Sequence, residues 1–332
     1  MSLPLSDLRP LALGEIVDRS ATFWRGHFRT LFLLSLGFNL TTYILTKVLQ
    51  LTLQGNPALL TPGGDPEAVR SALPNYLLSL GGVLLVSVWI YYLNTLVVAR
   101  YVVPTQLGNE ATPQQSFQRA WKRLGSLSGA YLLSLLWGTG ILLLLMLPGG
   151  VLLGVGAALV AQAQGSGGGA SILLAVGLLA AGGIVLGLGF VGGMLWYLLR
   201  FSLLGPVLAM EELSARRAFR RSGELLSGRV EPGFIGRVTV RAMLLVTVVS
   251  LILIAVSLLF GLPALLLQLI YRDPANPMGS LAPQALLIPA ELLQVIGQAV
   301  FNPLGLVVYA TLYLDMRVRR EGLDLERRLD AS

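Results

Sequence analysis

Four polar side chains near the C-terminal end of the chain are the best candidates for chemistry. They are spaced three or four residues apart, so in a helix they lie along one face. The four residues are Glu291, Gln294, Gln298 and Asn302. Inside a membrane such a stripe must face the protein interior or a wet cavity, because lipid does not solvate carboxyl or amide groups. Its carboxylate could then gate a polar path or carry a proton or a cation.

The same stripe also has a purely structural interpretation. Amides and carboxyls on one membrane helix form hydrogen bonds with polar side chains on neighbouring helices and so hold the helices together. The sequence offers Asn39, Asn94 and Gln268 as partners. One carboxylate with three amides is a narrow basis for ion coupling, so this structural interpretation is favoured and transport is kept as the alternative.

The sequence offers little else that could carry out catalysis. It has no cysteine and a single histidine, which excludes thiol chemistry and multi-histidine metal sites. We recognise no paired carboxylates, serine triad or phosphate-binding loop. Residues 187–192 match the GxGxxG spacing of dinucleotide sites, but they lie within an apolar run that lacks the required strand and later acidic residue. We therefore expect no enzyme activity, no metal and no cofactor.

The composition indicates a membrane protein. Apolar residues make up 55% of the 332 residues and charged residues only 12%, whereas about a quarter of a soluble domain is charged. Six apolar stretches are long enough to cross a bilayer as helices, which takes about 20 residues each. These stretches cover approximately 29–53, 75–103, 127–161, 171–208, 238–270 and 285–315. The predicted fold class is an all-α integral membrane protein with six transmembrane helices.

The positions of the basic residues predict the orientation. Of the 24 Lys and Arg residues, 21 lie in the N-terminal segment, the second-to-third and fourth-to-fifth connections, and the C-terminal tail. The other three are Lys47, Arg70 and Arg272. Basic residues accumulate on the cytoplasmic side of membrane proteins, so both termini are predicted to be cytoplasmic. The net charge of +7 then reflects orientation, and we expect no nucleic-acid partner.

An internal repeat organises the chain. SFQRAWKR at residues 116–123 matches SARRAFRR at residues 214–221, and DRSATFWRGHF at residues 18–28 is a weaker third copy. Each copy precedes two predicted spans, so each unit would contain one short amphipathic helix and two transmembrane helices. We predict a single membrane domain over residues 1–332 with a pseudo-threefold repeat. The three units would cover approximately 1–105, 106–208 and 209–332.

Each copy places aromatic residues on one helix face and basic residues on the other. Such a helix can lie at the cytosolic headgroup boundary, with its rings in the interface and its guanidinium groups on lipid phosphates. The candidate contacts to headgroups or a partner protein are Arg19, Trp24, Arg25, Arg119, Trp121, Lys122, Arg123, Arg216, Arg217, Phe219, Arg220 and Arg221. The alternative, given equal weight, is that these helices only cap the bundle and connect the spans. The second of them should begin at Thr112, with Pro113 at its first helical position.

Small residues inside the apolar stretches predict where spans pack closely. Gly183 and Gly187 are four residues apart, as are Gly189 and Gly193. This spacing is typical of a helix face that lets a neighbouring backbone approach. In the third span, Pro148 is followed by two glycines, which predicts a bend or an end of the helix there.

The two ends of the chain resemble a known family. Residues 9–19 read RPLALGEIVDR, and residues 313–326 read YLDMRVRREGLDLE. These segments are similar to the ends of the glycerophosphoryl diester phosphodiesterase membrane-domain family, with departures at Ala21 and Gly26. The resemblance implies a stand-alone domain of six spans in a prokaryotic cytoplasmic (inner) membrane. It implies no phosphodiesterase activity, because the family's catalytic barrel is a separate soluble domain.

Two functional hypotheses follow from these patterns. The leading one is a non-enzymatic scaffold or accessory subunit whose amphipathic helices interact with anionic lipid headgroups or with a membrane or cytosolic protein partner. The alternative is a transporter or lipid-translocating protein that uses the polar face of the last span, since transporters are often built from repeats.

Overall fold

The protein consists of helices joined by short connections. The computed structural model describes residues 9–54, 66–166, 169–229, 233, 236–272, 282–323 and 325. In this part of the chain there are six long helices and four short ones, and no strand. The long helices are α2 (Phe28–Gln54), α3 (Pro66–Gln106), α5 (Leu124–Ser166), α6 (Gly169–Phe201), α9 (Val238–Ile270) and α10 (Gln284–Glu321). The short helices are α1 (Leu13–Gly26), α4 (Pro113–Trp121), α7 (Leu204–Met210) and α8 (Ala215–Leu225).

All six long helices in the described residues are long and apolar enough to cross a membrane. The predicted fold class, an all-α membrane protein with six spans, is confirmed. The predicted bounds differ most at the second span, because α3 begins at Pro66 and not near residue 75. At the fourth span the chain breaks after Phe201 and continues as the separate helix α7. Pro206 explains the break: in one continuous helix its ring would clash with the Ser202 carbonyl, whereas the first turn of a new helix tolerates it. Pro148, in contrast, lies inside α5, which continues to Ser166.

The short helices gather at one end of the bundle, which we call the basic end. Helix α1 packs against α10, α4 against α3, and α8 against α5, α6 and α7. Side-chain hydrogen bonds also join the short helices' flanking segments to the bundle. Arg241 of α9 donates to the Leu11 carbonyl over 2.7 Å, and Arg123 donates to the Leu213 carbonyl over 3.2 Å. Thr112 caps α4 by accepting a hydrogen bond from the Gln115 N–H, as predicted.

The contacts of the short helices follow a cyclic order. Each short amphipathic helix touches the last long helix, or its continuation, of the unit before it: α1 touches α10, α4 touches α3, and α8 touches α6 and α7. Three copies of one unit around a central axis would produce this order. It is consistent with the predicted pseudo-threefold repeat, whose unit boundaries stay a prediction.

The buried apolar core lies at the basic end. It is formed by the last part of α3, by α7, by the start of α9 and by the end of α10, and Ile16 of α1 reaches into it. Tyr313 is its largest fully buried side chain. In the other half of the bundle, which we call the distal half, long apolar side chains point outward. Leu173 and Ile270 are 77% and 73% exposed, as expected of residues that face lipid.

Helices α5 and α6 form a hairpin held by close backbone contact. A Cβ atom on Gly189 would overlap the Leu145 carbonyl, and one on Gly193 would crowd the Leu142 side chain. Glycine therefore lets α6 lie against the backbone of α5. The predicted packing face at Gly189 and Gly193 is confirmed.

The predicted face at Gly183 and Gly187 is wrong, because both positions have open space where a side chain would be. Gly182 takes that role instead and lies beside the Leu153 backbone nitrogen. Gly182 and Gly189 are seven residues apart, which is two helical turns, so they share the face towards α5.

Candidate functional site

Helices α2 and α10 are the least apolar of the six spans and pack against each other. Their mean hydropathies are 1.4 and 1.5, whereas the other four spans range from 1.9 to 2.9. Helix α2 carries a polar stripe of its own, since Asn39, Tyr43 and Lys47 lie four residues apart. The polar faces of the two helices meet, so the stripe predicted on α10 points into the protein as expected.

An ion pair joins the two stripes. Lys47 Nζ lies 2.7 Å from one carboxylate oxygen of Glu291 and 3.0 Å from the other. The side chains are only 10% and 14% exposed. Gln50 Oε1 accepts a third hydrogen bond from the Lys47 ammonium over 3.2 Å, and the Tyr43 hydroxyl donates to Glu291 over 3.0 Å. Each ion therefore has the other ion and one neutral group as partners.

A cavity of about 250 Å³ adjoins this ion pair. Glu291, Gln294 and Gln298 line one side of it, and Thr42 and Lys47 line the other. The lining is rich in amides and hydroxyls, which can donate and accept hydrogen bonds.

Two further cavities continue from it towards the basic end. The first has a volume of about 190 Å³, shares Thr42 with the cavity at the ion pair and is lined by Asn302 and Asn94. The second is a space of about 60 Å³, and it shares Tyr91 and Tyr309 with the first. We call the three cavities together the polar groove. Two of them lie along the stripe predicted on α10.

The interhelical partners of the stripe are partly those predicted. Asn302 Nδ2 donates to Asn39 Oδ1 over 3.4 Å, which confirms Asn39 as a partner. Gln294 donates to Ser257 of α9 over 3.4 Å, a partner not predicted from the sequence. Asn94 lines the same cavity as Asn302, but no described residue bonds to its Oδ1 atom. Both interpretations of the stripe thus find support: two of its amides join helices, and its carboxylate lies in a polar cavity.

Lys47 is the residue that sequence reasoning missed. It was counted only as one of three basic residues on the non-cytoplasmic side, although it lies within the predicted span 29–53. A lysine inside an apolar stretch is itself a signal, because membrane proteins rarely retain one without a partner. Its spacing of four residues from Tyr43 strengthens that signal.

The residues predicted to contact headgroups or a partner divide into two groups. The first group is exposed at the basic end, and we call it the basic surface. It consists of Arg25, Arg119, Trp121, Lys122, Arg216, Arg217 and Arg220. The second group is partly buried. It consists of Arg19, Trp24, Arg123, Phe219 and Arg221.

The partly buried aromatic residues pack within the protein. The indole of Trp24 donates to the Val300 carbonyl over 3.0 Å and stacks on Phe301. The ring of Phe219 lies 5.0 Å from that of Phe201. The amphipathic pattern correctly identified an apolar face on each helix, but these two rings turn towards the bundle and fix the helices to the spans. Bundle capping, the alternative interpretation, explains these two positions.

Arg221 also has internal partners. It pairs with Glu211 over 3.0 Å and with Glu321, and Glu321 also accepts from Arg317 over 2.8 Å. Burial favours the neutral form of Arg221, but the carboxylates of Glu321 and Glu211 outweigh it and raise the pKa of this guanidinium. Arg221 is thus part of an ion-pair network that ties α8 to the end of α10.

The structure brings the residues just before α1 and those near the end of α10 together. The Leu11 N–H donates to Asp315 over 2.8 Å, and Arg319 bonds both to Asp315 and to the Leu11 carbonyl. The Asp315 side chain is fully buried. These contacts anchor α1 to α10.

Comparison of the chain with protein-family models, curated proteins and solved structures found no match. Within the described residues, no group of three or more His, Asp or Glu side chains could hold a metal ion. The polar groove and the basic surface are the two features of the described residues that are suited to binding a ligand or a partner.

Proposed function

We propose that the protein is a non-enzymatic transporter or lipid-translocating protein, and that a polar solute or a lipid headgroup moves along the polar groove. The Lys47–Glu291 ion pair is the observation that carries this proposal. Two apolar side chains would join α2 to α10 at least as well, because burying an ion pair rarely stabilises a protein more than apolar packing does. Stability therefore does not account for the pair, whereas charged residues at membrane depth are typical of substrate paths.

The rest of the groove supports this proposal. Its three cavities follow one another from the ion pair in the distal half towards the core at the basic end. Ser87 and Asn94 each place a buried oxygen there without a hydrogen-bond partner among the described residues. Buried polar atoms are nearly always satisfied, so such oxygens suit water or a passing polar group.

Reconstitution into liposomes tests the proposal. We expect the wild-type protein to accelerate the flux of a polar solute or the exchange of labelled lipid between leaflets. Glu291→Gln and Gln298→Leu should each lower the rate about tenfold, which corresponds to about 1.4 kcal/mol of barrier. Thr41→Val is the matched control, because Thr41 is exposed on α2 and bonds only to its own helix. Equal rates for all four proteins and for empty liposomes would overturn the proposal.

A second candidate function rests on the basic surface. Six exposed bases and an exposed tryptophan lie on the short helices and adjoining turns of one end, an arrangement that suits anionic headgroups or an acidic partner protein. In this function the protein is a scaffold or accessory subunit. We expect reversal of Arg216, Arg217 and Arg220 to glutamate to remove co-purifying anionic lipid or partner, measured by native mass spectrometry. Unchanged retention would contradict it.

We also propose that the basic end faces the cytoplasm of a prokaryotic cell, and that the chain is a relative of the phosphodiesterase membrane-domain family. The distribution of 21 of the 24 basic residues supports the orientation. Because the chain has no cysteine, single cysteines can be placed at Ser227, near α8, and at Gln54, at the distal end of α2. An impermeant thiol reagent on intact cells should label Gln54→Cys and not Ser227→Cys, and the reverse result would invert the topology.

A further inference from the structure

We propose that the Lys47–Glu291 pair is a binding site for a zwitterion, a ligand that is neutral overall but carries one anionic and one cationic group. The inference rests on the proposed transport function and names its class of substrate. Lys47 would bind the anionic group and Glu291 the cationic group, so the internal ion pair would be exchanged for two ion pairs with the ligand.

The charge balance of the groove favours this class of ligand. Among the described residues that line the polar groove, Lys47 and Glu291 alone are charged, and their charges cancel. A ligand with a net charge would leave one charge without compensation in a medium of low dielectric constant, which is strongly unfavourable. A zwitterion keeps the site neutral at every stage.

The hydrogen bonds around the pair allow it to open. Lys47 also donates to Gln50, and Glu291 also accepts from Tyr43. Each ion would therefore keep one partner from α2 while the ligand replaced the other ion. The adjoining cavity of about 250 Å³ offers amides of Gln294 and Gln298 to the rest of the ligand. Opening of this pair would leave neither charge without a partner.

The surface of α2 beside the ion pair is apolar and exposed. Ile44 and Val48, next to Lys47 on the surface of α2, are 59% and 58% exposed. The headgroup of a zwitterionic phospholipid could thus enter between α2 and α10 while its acyl chains stayed in the bilayer. A free zwitterionic solute would present the same two charges, so both sources have to be tested.

The experiment uses the full-length protein in liposomes and two pairs of probes. The lipid pair is phosphatidylethanolamine and phosphatidylglycerol, both labelled on an acyl chain, and dithionite bleaching reports their exchange between leaflets. The solute pair is radiolabelled glycine betaine, a zwitterion, and choline, which carries only the cationic group. We expect the zwitterion of at least one pair to move about tenfold faster than its charged counterpart. The pair that shows this preference identifies the source.

Four variants separate the charges from the fold. Lys47→Gln and Glu291→Gln should each abolish the preference. The double variant K47Q/E291Q leaves no isolated ion behind, so it should be as stable as the wild type. It should also lose the preference for the zwitterion. The charge-swapped variant K47E/E291K restores a neutral pair and should keep the preference within about threefold. The melting temperature of each purified protein reports its folding.

The outcomes distinguish the two proposals. Movement of the zwitterion and its charged counterpart at equal rates in both pairs overturns the zwitterion site but leaves transport along the groove standing. If the double variant K47Q/E291Q still prefers the zwitterion, the proposed zwitterion site is overturned as well. No movement of any of the four probes beyond that in empty liposomes overturns transport, and the zwitterion site with it.

Discussion

Helices α5 and α6 meet through glycines, whereas α2 and α10 meet through polar side chains. In the first contact the backbone at Gly189 lies against the Leu145 carbonyl, and no side chain separates the helices. In the second contact Lys47 bonds directly to Glu291 beside a cavity, and hydrogen bonds replace close apolar packing. Both contacts join membrane helices, but different forces hold them.

The difference teaches what each region can do. Close packing of glycines maximises van der Waals contact and leaves no space, so the α5–α6 hairpin is suited to a fixed structure. Polar side chains leave space between α2 and α10, and an ion pair can exchange its partner for a ligand without moving a helix far. The predictions below test this contrast, from the largest expected effect to the smallest.

Removal of one charge should affect stability most. Lys47→Leu or Glu291→Leu leaves a lone charge in the groove and should lower the free energy of unfolding by about 3–5 kcal/mol. The double variant K47L/E291L removes both charges and should return to within about 1 kcal/mol of the wild type. Reversible unfolding in mixed micelles measures the free energy of unfolding of the single and double variants. Single variants as stable as the wild type would show that the pair is already open to water.

A larger side chain should disrupt the hairpin only where the backbones touch. Gly189→Leu collides with the Leu145 carbonyl and should destabilise the protein by about 1–3 kcal/mol. Gly187→Leu is the matched control, because its side chain would extend into open space and should change stability by less than about 0.5 kcal/mol. Thermal unfolding in detergent measures the difference. Equal melting temperatures for the two variants would contradict the glycine contact.

Loss of the Tyr43 hydroxyl should have a moderate effect. Tyr43→Phe removes one hydrogen bond to Glu291 but keeps the ion pair, so it should cost about 1 kcal/mol. Thr41→Val serves as the control, since Thr41 bonds to its own helix. The same unfolding assay applies, and a loss as large as that of Glu291→Leu would mean that Tyr43, rather than Lys47, holds the carboxylate.

The bond between Asn39 and Asn302 should contribute least. It is long, at 3.4 Å, and hydrogen bonds between membrane helices contribute about 0.6 kcal/mol on average. A double-mutant cycle with Asn39→Ala and Asn302→Ala should therefore give a coupling energy below about 1 kcal/mol. A larger coupling would show that the groove is held as firmly as the hairpin.

Local patterns in the sequence were sufficient to predict the six spans and the short amphipathic helices, but not the separate helix α7. The six spans follow from long, mainly apolar stretches, and α4 follows from Thr112 and Pro113, whose effects reach only a few residues. The polar face of α10 was equally predictable, because the spacing of Glu291 and Gln298 places them on one side of a helix whatever surrounds it. These features depend on neighbours along the chain.

Contacts between distant residues could not be predicted in this way. The sequence indicated that a polar face existed on α10, but the pairing of Glu291 with Lys47 joins positions 244 residues apart. Whether Gly182 or Gly183 faces α5 likewise depends on how α6 is rotated about its own axis, because neighbouring residues of a helix point in different directions.

The sequence by itself determined that this chain crosses a membrane six times, where its amphipathic helices lie, and which face of α10 is polar. Only the tertiary structure decided that Lys47 meets Glu291, that Trp24 turns into the bundle, and that Leu11 is held by Asp315. The physical reason is that hydropathy and periodicity are properties of single helices. The relative rotation of two helices is set by the packing of all the side chains between them.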